Sequence, residues 1–282
     1  MTTLAPGIFL FDSGIKGPRR LYSAGIHGDE VEGQKVINAV LKGLESGRVE
    51  VTSGSVMIIL ANLQAIQDCK RVASDGCDFN RSFNKDEHPR IVEIKKWVNS
   101  FKPTLHRDLH CTIQNIPFSF ALCSRAKVQP VEAFYDFALR FSIHNIVQFI
   151  YKADRKLTTF AGYTAQNFGS ESCTIELGQI ASSRARRMVP KVITAIFSEI
   201  TDRGIKRVIP EVQLWQMGKK ITKQTEHFQF TRQFENFEQL QEEEVVARDA
   251  EETHIAGKDS FILFANSHVP IGGRAAVFIT KE

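Results

Sequence analysis

The sequence predicts an α/β protein: a mixed, largely parallel sheet flanked by helices, with a small β-rich region after it. Three observations carry that expectation. Over roughly the first two-thirds of the chain, short β-type runs alternate with amphipathic helical stretches, the strand–helix–strand order of an α/β domain. After Gly204 the texture changes to short alternating or β-branched segments such as RVIPEVQLWQM, HFQFTRQF, DSFILFAN and RAAVFITK. Finally, 282 residues at 43% hydrophobic and 24% charged form an ordinary globular composition, long enough for one large domain and an appendage. The expected division is an α/β domain over 1–205 and a β-rich domain over 206–282.

YSAGI (22–26) and SVMIILAN (55–62) are continuous in apolar residues and bounded by Gly, Ser or Asn, as buried strands are. Between them Asp29 is placed to cap a helix. Val36, Val40 and Leu44, with Ile37 and Leu41, form its apolar stripe, and Gly47 is its stop. Ile91, Ile94, Trp97, Val98 and Phe101 recur at helical spacing, so 88–101 reads as a second helix ending before Pro103. TLHRDLH (104–110), FSFALC (118–123), NIVQFI (145–150) and ESCTIELG (171–178) read as further strands, with helices near 131–142 and 190–202. The acidic stretch QEEEVVARDAEE reads as a solvated connector, and no internal repeat or low-complexity tract is present.

Composition narrows the function classes. A net charge of +4 suits anionic small substrates but lacks the dense basic stripe of a nucleic-acid binder. The one tight basic cluster, SSRARRM (182–188), reads as a solvated helix face. MTTLAPGIFLF has no basic n-region or long apolar stretch, and no apolar run approaches the roughly 20 residues that span a bilayer. Five cysteines, odd in number and without CxxC spacing, fit a reduced chain in which disulfides are not expected. A soluble, cytoplasmic protein is the expectation, with neither nucleic acid nor membrane as partner, and with a homo-oligomer left open.

The chemistry concentrates at four places. His27 and Glu30, in SAGIHGDEVEG, stand three apart where a strand gives way to a helix, so both side chains can face one point. That spacing also fits a polar turn. His110 ends the strand RDLH, where open α/β sheets put their ligand crevice. Asp108 lies two residues earlier on the same side, placed to hydrogen-bond a ligand imidazole. A satisfied core histidine is the alternative. Glu176, in the apolar strand ESCTIELG, is a carboxylate that must be paired, protonated or beside a metal. It fits a general base or an ion pair with a buried arginine. QDCKRVASDGCDFNRSFN (67–84) carries Arg71, Asn80 and Arg81. These residue types suit carboxylate binding and oxyanion stabilisation, or simple solvation.

GIHGDE, KRVASDGCDFNRSF, DLHCT and TIELG, in that order, resemble the succinylglutamate desuccinylase/aspartoacylase family of carboxypeptidase A-like zinc hydrolases. The resemblance covers about 20–180, and the tail DSFILFANSHVPIGGRAAVFI resembles the C-terminal portion of bacterial members. It implies His27, Glu30 and His110 as ligands of one Zn2+, Glu176 as general base and Arg71 as the group polarising the scissile carbonyl. Asn80 and Arg81 would grip the α-carboxylate of the amino-acid product. It further implies a zinc carboxypeptidase-like fold and hydrolysis of an anionic N-acyl amino acid, N-succinylglutamate in arginine catabolism, or N-acetylaspartate as the alternative. A non-catalytic zinc-binding protein would be expected to have lost Glu176 or a ligand, and none is missing. The acyl chain is not placed by residue match; Arg155, Lys156 and the loop TTFAGYTAQNFG (158–169) are candidates for it.

Overall fold

The computed structural model describes every residue except 153, 155, 203–208 and 251. A hairpin of β1 (Thr2–Ala5) and β2 (Ile8–Asp12) precedes β3 (Arg19–Ala24), α1 (Val31–Glu45) and β4 (Ser55–Leu60). Then come α2 (Leu63–Asp68), α3 (Pro89–Phe101), β5 (Leu105–Thr112) and β6 (Phe120–Arg125). They are followed by α4 (Tyr135–Phe141), β7 (Asn145–Ile150), α5 (Phe160–Phe168), β8 (Glu171–Gln179) and α6 (Ser183–Ile200). The remainder is β9 (Gln213–Thr222), β10 (Gln229–Phe230), β11 (Glu238–Gln239), β12 (Val245–Asp249), β13 (Glu252–Ile255), β14 (Ser260–Leu263) and β15 (Arg274–Lys281).

One sheet runs β1-β2-β4-β3-β5-β8-β6-β7-β9-β15-β14-β11, and β10-β12-β13 form a second. From β4 to β7 neighbours are parallel except β6 against β8. Both faces of those strands are covered. On one, Val36, Ile37 and Val40 of α1 and Val192 and Ile196 of α6 pack with Tyr22, Ile58 and Ile175. On the other, Ile91, Ile94 and Val98 of α3 and Phe160 of α5 pack with Leu21, Met57 and Ile59. Alternation along β3 and β4 therefore feeds two apolar layers, which is why these strands read as unbroken hydrophobic runs. Parallel pairing of Asn145 with Gln213 joins β9 to β7, so the C-terminal strands β9, β15, β14 and β11 prolong the same sheet. The expected boundary at 205/206 lies outside the described residues. No helix among the described residues is long and apolar enough to cross a membrane.

Several local expectations differ from the structure. The acidic stretch QEEEVVARDAEE, read as a solvated connector, contains β12, the central strand of the second sheet, with Val246 and Ala247 fully buried. The last large helix begins at Ser183, not near 190, because the Ser182 hydroxyl accepts from the Ala185 N–H and starts it about two turns before Pro190. Residues 160–168, read as loop, form α5: Thr159 caps it, and Phe160, Ala161 and Ala165 bury one face. The N-terminal hairpin β1–β2 was not expected from the sequence, and its antiparallel docking on β4 extends the sheet. Cys123 and Cys173, expected as thiols, form a disulfide, since the antiparallel register of β6 and β8 sets them directly opposite one another.

Candidate active site

β3 stops at Ala24 because Gly25 takes φ +72°, a left-handed conformation open to glycine. The chain then turns through Ile26, His27 and Gly28 against α2. A Cβ at Gly28 would stand 1.9 Å from the Ala65 carbonyl oxygen, so only glycine permits this approach. The Gln34 amide donates to the Gly28 carbonyl at 2.8 Å and holds the turn. The expected cap by Asp29 is not what the fold uses. Glu30 occupies the N-cap position and makes no side-chain cap bond. Its carboxylate is drawn instead to two imidazoles, Oε1 lying 2.6 Å from His27 Nδ1 and Oε2 3.0 Å from His110 Nδ1. Oε2 also accepts from the Cys111 N–H at 3.1 Å.

His110 arrives by strand alternation. Along β5 the side chains of His106, Asp108 and His110 share one face, and Arg107, Leu109 and Cys111 the other. Cys111 accordingly sits in the apolar layer under α1 and α6, away from the imidazole before it. Asp108 Oδ2 lies 3.1 Å from His110 Nε2, and Asp78 Oδ1 lies 3.2 Å from His27 Nε2. The two rings thus have the same arrangement: Nε2 faces a carboxylate, and Nδ1 faces Glu30. They meet edge to face with centroids 5.5 Å apart. One ligand atom each from His27, Glu30 and His110 falls within 4.8 Å of the others, all three residues being buried. Two imidazoles and a carboxylate, with both imidazoles oriented from behind by carboxylates, fit a divalent metal ion.

Glu176 stands beside His110 as its register partner on the adjacent strand β8. It is buried, and its Oε2 has no hydrogen-bond partner. Burial pushes its carboxyl up to about 7, with the charges of His110 and Glu30 acting in opposite senses. Glu30 itself is held well below the usual carboxylate range: burial opposes this, but His110 and His27 outweigh it. Both histidines are raised in turn, burial being outweighed chiefly by Glu30.

The 69–84 segment closes over this cluster. Arg71 Nη1 reaches to 3.4 Å from Glu30 Oε1. Asp78 accepts from the Asn80 N–H at 2.8 Å, so the carboxylate that orients His27 also starts the short 3₁₀ turn Phe79–Arg81. That turn holds Asn80 with its Oδ1 buried and unpartnered, and Arg81 exposed. The seven residues to which the resemblance assigns roles therefore lie at or beside one place, the C-terminal edge of the parallel strands.

A family model described as the succinylglutamate desuccinylase/aspartoacylase catalytic domain matches residues 16–196. The chain belongs to this family. A second model, the barrel-sandwich hybrid domain of the same family, matches residues 210–282. Among curated relatives, the succinylglutamate desuccinylase of Vibrio parahaemolyticus is 28% identical, over 93% of this chain and 80% of that protein. That of Photorhabdus laumondii is 27% identical, over 98% and 90%. The crystal structures of the desuccinylases from Vibrio parahaemolyticus and Vibrio cholerae superpose with TM-scores of 0.82 and 0.83. At 24% and 23% identity, covering 98% of this chain and 86% and 85% of theirs, these two speak for the fold.

Several residues beside this cluster are not apparent from the sequence alone. Asp78 was visible only as a neighbour of Asn80 and Arg81. His106, in the strand TLHRDLH, is fully buried and bonded to Ser23 Oγ and Thr164 Oγ1, both at 2.8 Å. Ser23 donates in turn to Asp108 at 2.5 Å, so this chain braces the carboxylate behind His110. An odd–even reading of β5, which places His106 on the face of Asp108 and His110, was the available signal. Of the acyl-pocket candidates, Arg155 lies outside the described residues, and the charge of Lys156 acts on Asp86.

Proposed function

We propose that the protein is a zinc-dependent amidohydrolase that cleaves N-succinylglutamate to succinate and glutamate, a step of arginine catabolism. The observation that carries this reading is the convergence of His27, Glu30 and His110 beside a buried, unpaired Glu176. The curated relatives named succinylglutamate desuccinylase support the choice of acyl group.

His27 Nδ1, one oxygen of Glu30 and His110 Nδ1 would hold the ion, with Asp78 and Asp108 fixing both rings. When bound, zinc supplies Lewis acidity, acidifying water and polarising a carbonyl. Glu176 takes the proton from the attacking water at its free Oε2 and returns it to the departing nitrogen. A carboxyl pushed up to about 7 is matched to both halves of that transfer near neutral pH. Arg71 places positive charge where the carbonyl oxygen becomes negative. Asn80 and Arg81, on a turn pinned by Asp78, hold the amino-acid α-carboxylate and so fix one bound geometry.

The test is side-by-side hydrolysis of N-succinylglutamate and N-acetylaspartate by the zinc-loaded protein, with succinate, acetate and free amino acid followed by NMR. Faster turnover of N-succinylglutamate is expected. Preference for N-acetylaspartate would transfer the reading to an aspartoacylase-type deacetylase, and release from neither would remove the hydrolase reading.

A further inference from the structure

The substrate of the proposed reaction carries carboxylates besides the one assigned to Asn80 and Arg81, and the C-terminal region brings an arginine, Arg274, towards the same site. Arg274 opens β15, opposite Thr222 of β9. Its guanidinium carbon lies 4.6 Å from the ring centroid of Phe264. Phe264 is 6.0 Å from the ring of Phe120, and Phe120 is the cross-strand partner of Glu176. A continuous path of contacts thus leads from the base to this arginine.

Arg274 is an unusual cation for such a place. Its Nε is buried and makes no hydrogen bond. No carboxylate among the described residues forms an ion pair with it. The charges of Arg81, Glu176 and Asp78, all three at the site described above, act on it instead. Burial and the like charge of Arg81 both work against the guanidinium being ionised. An arginine held under those conditions without a partner is costly unless an anion completes it. The two buried arginines of the same sheet both have carboxylates: Arg20 has Asp202, and Arg107 has Glu199 at 2.8 Å and Glu171 at 2.9 Å.

We propose that Arg274 binds a carboxylate of the substrate remote from the scissile amide, so that the C-terminal region supplies a specificity determinant to the catalytic site. The ligand chemistry is a carboxylate, from either the distal end of a dicarboxylic acyl group or the side chain of an acidic amino acid. This assignment rests on the hydrolase reading. It requires the guanidinium fork, because a carboxylate accepts two parallel N–H bonds from arginine and not from lysine. It also gives the chain a reason to keep β15 hydrogen-bonded through β9 to the catalytic sheet: the binding group would lose its register if the two parts moved independently.

The test compares wild type with Arg274→Met, which keeps an apolar stem over Phe264, and Arg274→Lys, which keeps the charge. Substrates are N-succinylglutamate, N-butyrylglutamate, which lacks the acyl carboxylate, and N-succinylnorvaline, which lacks the side-chain carboxylate. Arg274→Met should lower kcat/KM on N-succinylglutamate by about 100-fold, mostly through KM. It should leave unchanged the one analogue that already lacks the carboxylate it binds, and this identifies the carboxylate. Arg274→Lys should recover only part of the loss. An equal loss on all three substrates, or no loss on any, overturns the proposal. Calorimetry of succinate and glutamate binding to wild type and Arg274→Met needs no turnover. Weakening of one product by tenfold or more supports the assignment even where hydrolysis is absent, and weakening of neither overturns it.

Discussion

Replacing Glu176 with glutamine should move activity and stability in opposite directions. The side chain is buried beside His110, and its Oε2 has no partner. Burial, as the main cause, raises its carboxyl from 4.5 to about 7. At about 1.4 kcal/mol per pH unit, ionising it in the folded chain costs about 3 kcal/mol. Because the folded value lies above the unfolded one, the stabilisation is fully present below about pH 4.5. It is lost as pH rises through about 7. The amide does not titrate. Unfolding free energies of chelator-treated wild type and Glu176→Gln, measured in urea at pH 4 and pH 8, should therefore show the variant gaining about 3 kcal/mol on wild type between those pH values. With zinc restored, the same variant should lose about 10²- to 10⁴-fold in kcat, the usual contribution of a general base, while retaining its metal. Full turnover with zinc bound, or a stability gap that does not change with pH, would refute the assignment of Glu176 as a desolvated base.

Asp108→Asn removes the charge behind His110 Nε2, 3.1 Å away, and should weaken metal affinity by about 10- to 100-fold in a chelator competition titration. Arg81→Ala should raise KM for N-succinylglutamate about tenfold or more with little change in kcat; unchanged kinetics would remove Arg81 from the site. Burial holds His106 down to about 4. With its folded value below the unfolded 6.5, the unfolded chain takes up the proton first as pH falls. Stability should therefore decline between about pH 6.5 and 4, by up to about 3 kcal/mol, and more steeply in wild type than in His106→Gln by urea unfolding.

The α/β architecture was legible because β3, β4, β5 and β8 are buried on both faces and the helices between them carry clean apolar stripes. The site was legible because each of its pieces sits at a strand end or in one loop, where local pattern and side-chain chemistry coincide. What escaped was set by partners distant in sequence. Asp29 looked like a cap, but Glu30 is held by an imidazole 80 residues away on β5. Cys123 and Cys173 are 50 residues apart, and only the β6–β8 register joins them. The helix α5 was hidden by an alanine- and aromatic-rich stretch with no strong period, made helical by a threonine cap and by burial of Phe160 against Phe83 and His106. Arg274 lies nearly a hundred residues beyond Glu176, on a strand whose sequence gives no sign that its first side chain is within reach of the charges of Glu176 and Asp78.

Everything in this account depends on residues 27, 30 and 110 sharing one ion. Elemental analysis of purified wild type, His27→Ala and His110→Ala, each checked for intact secondary structure by circular dichroism, measures that directly. About one zinc per wild-type chain is expected, the number for which one three-ligand set provides, and almost none in either variant. Equal zinc in all three folded proteins, or none in any after zinc loading, would contradict it.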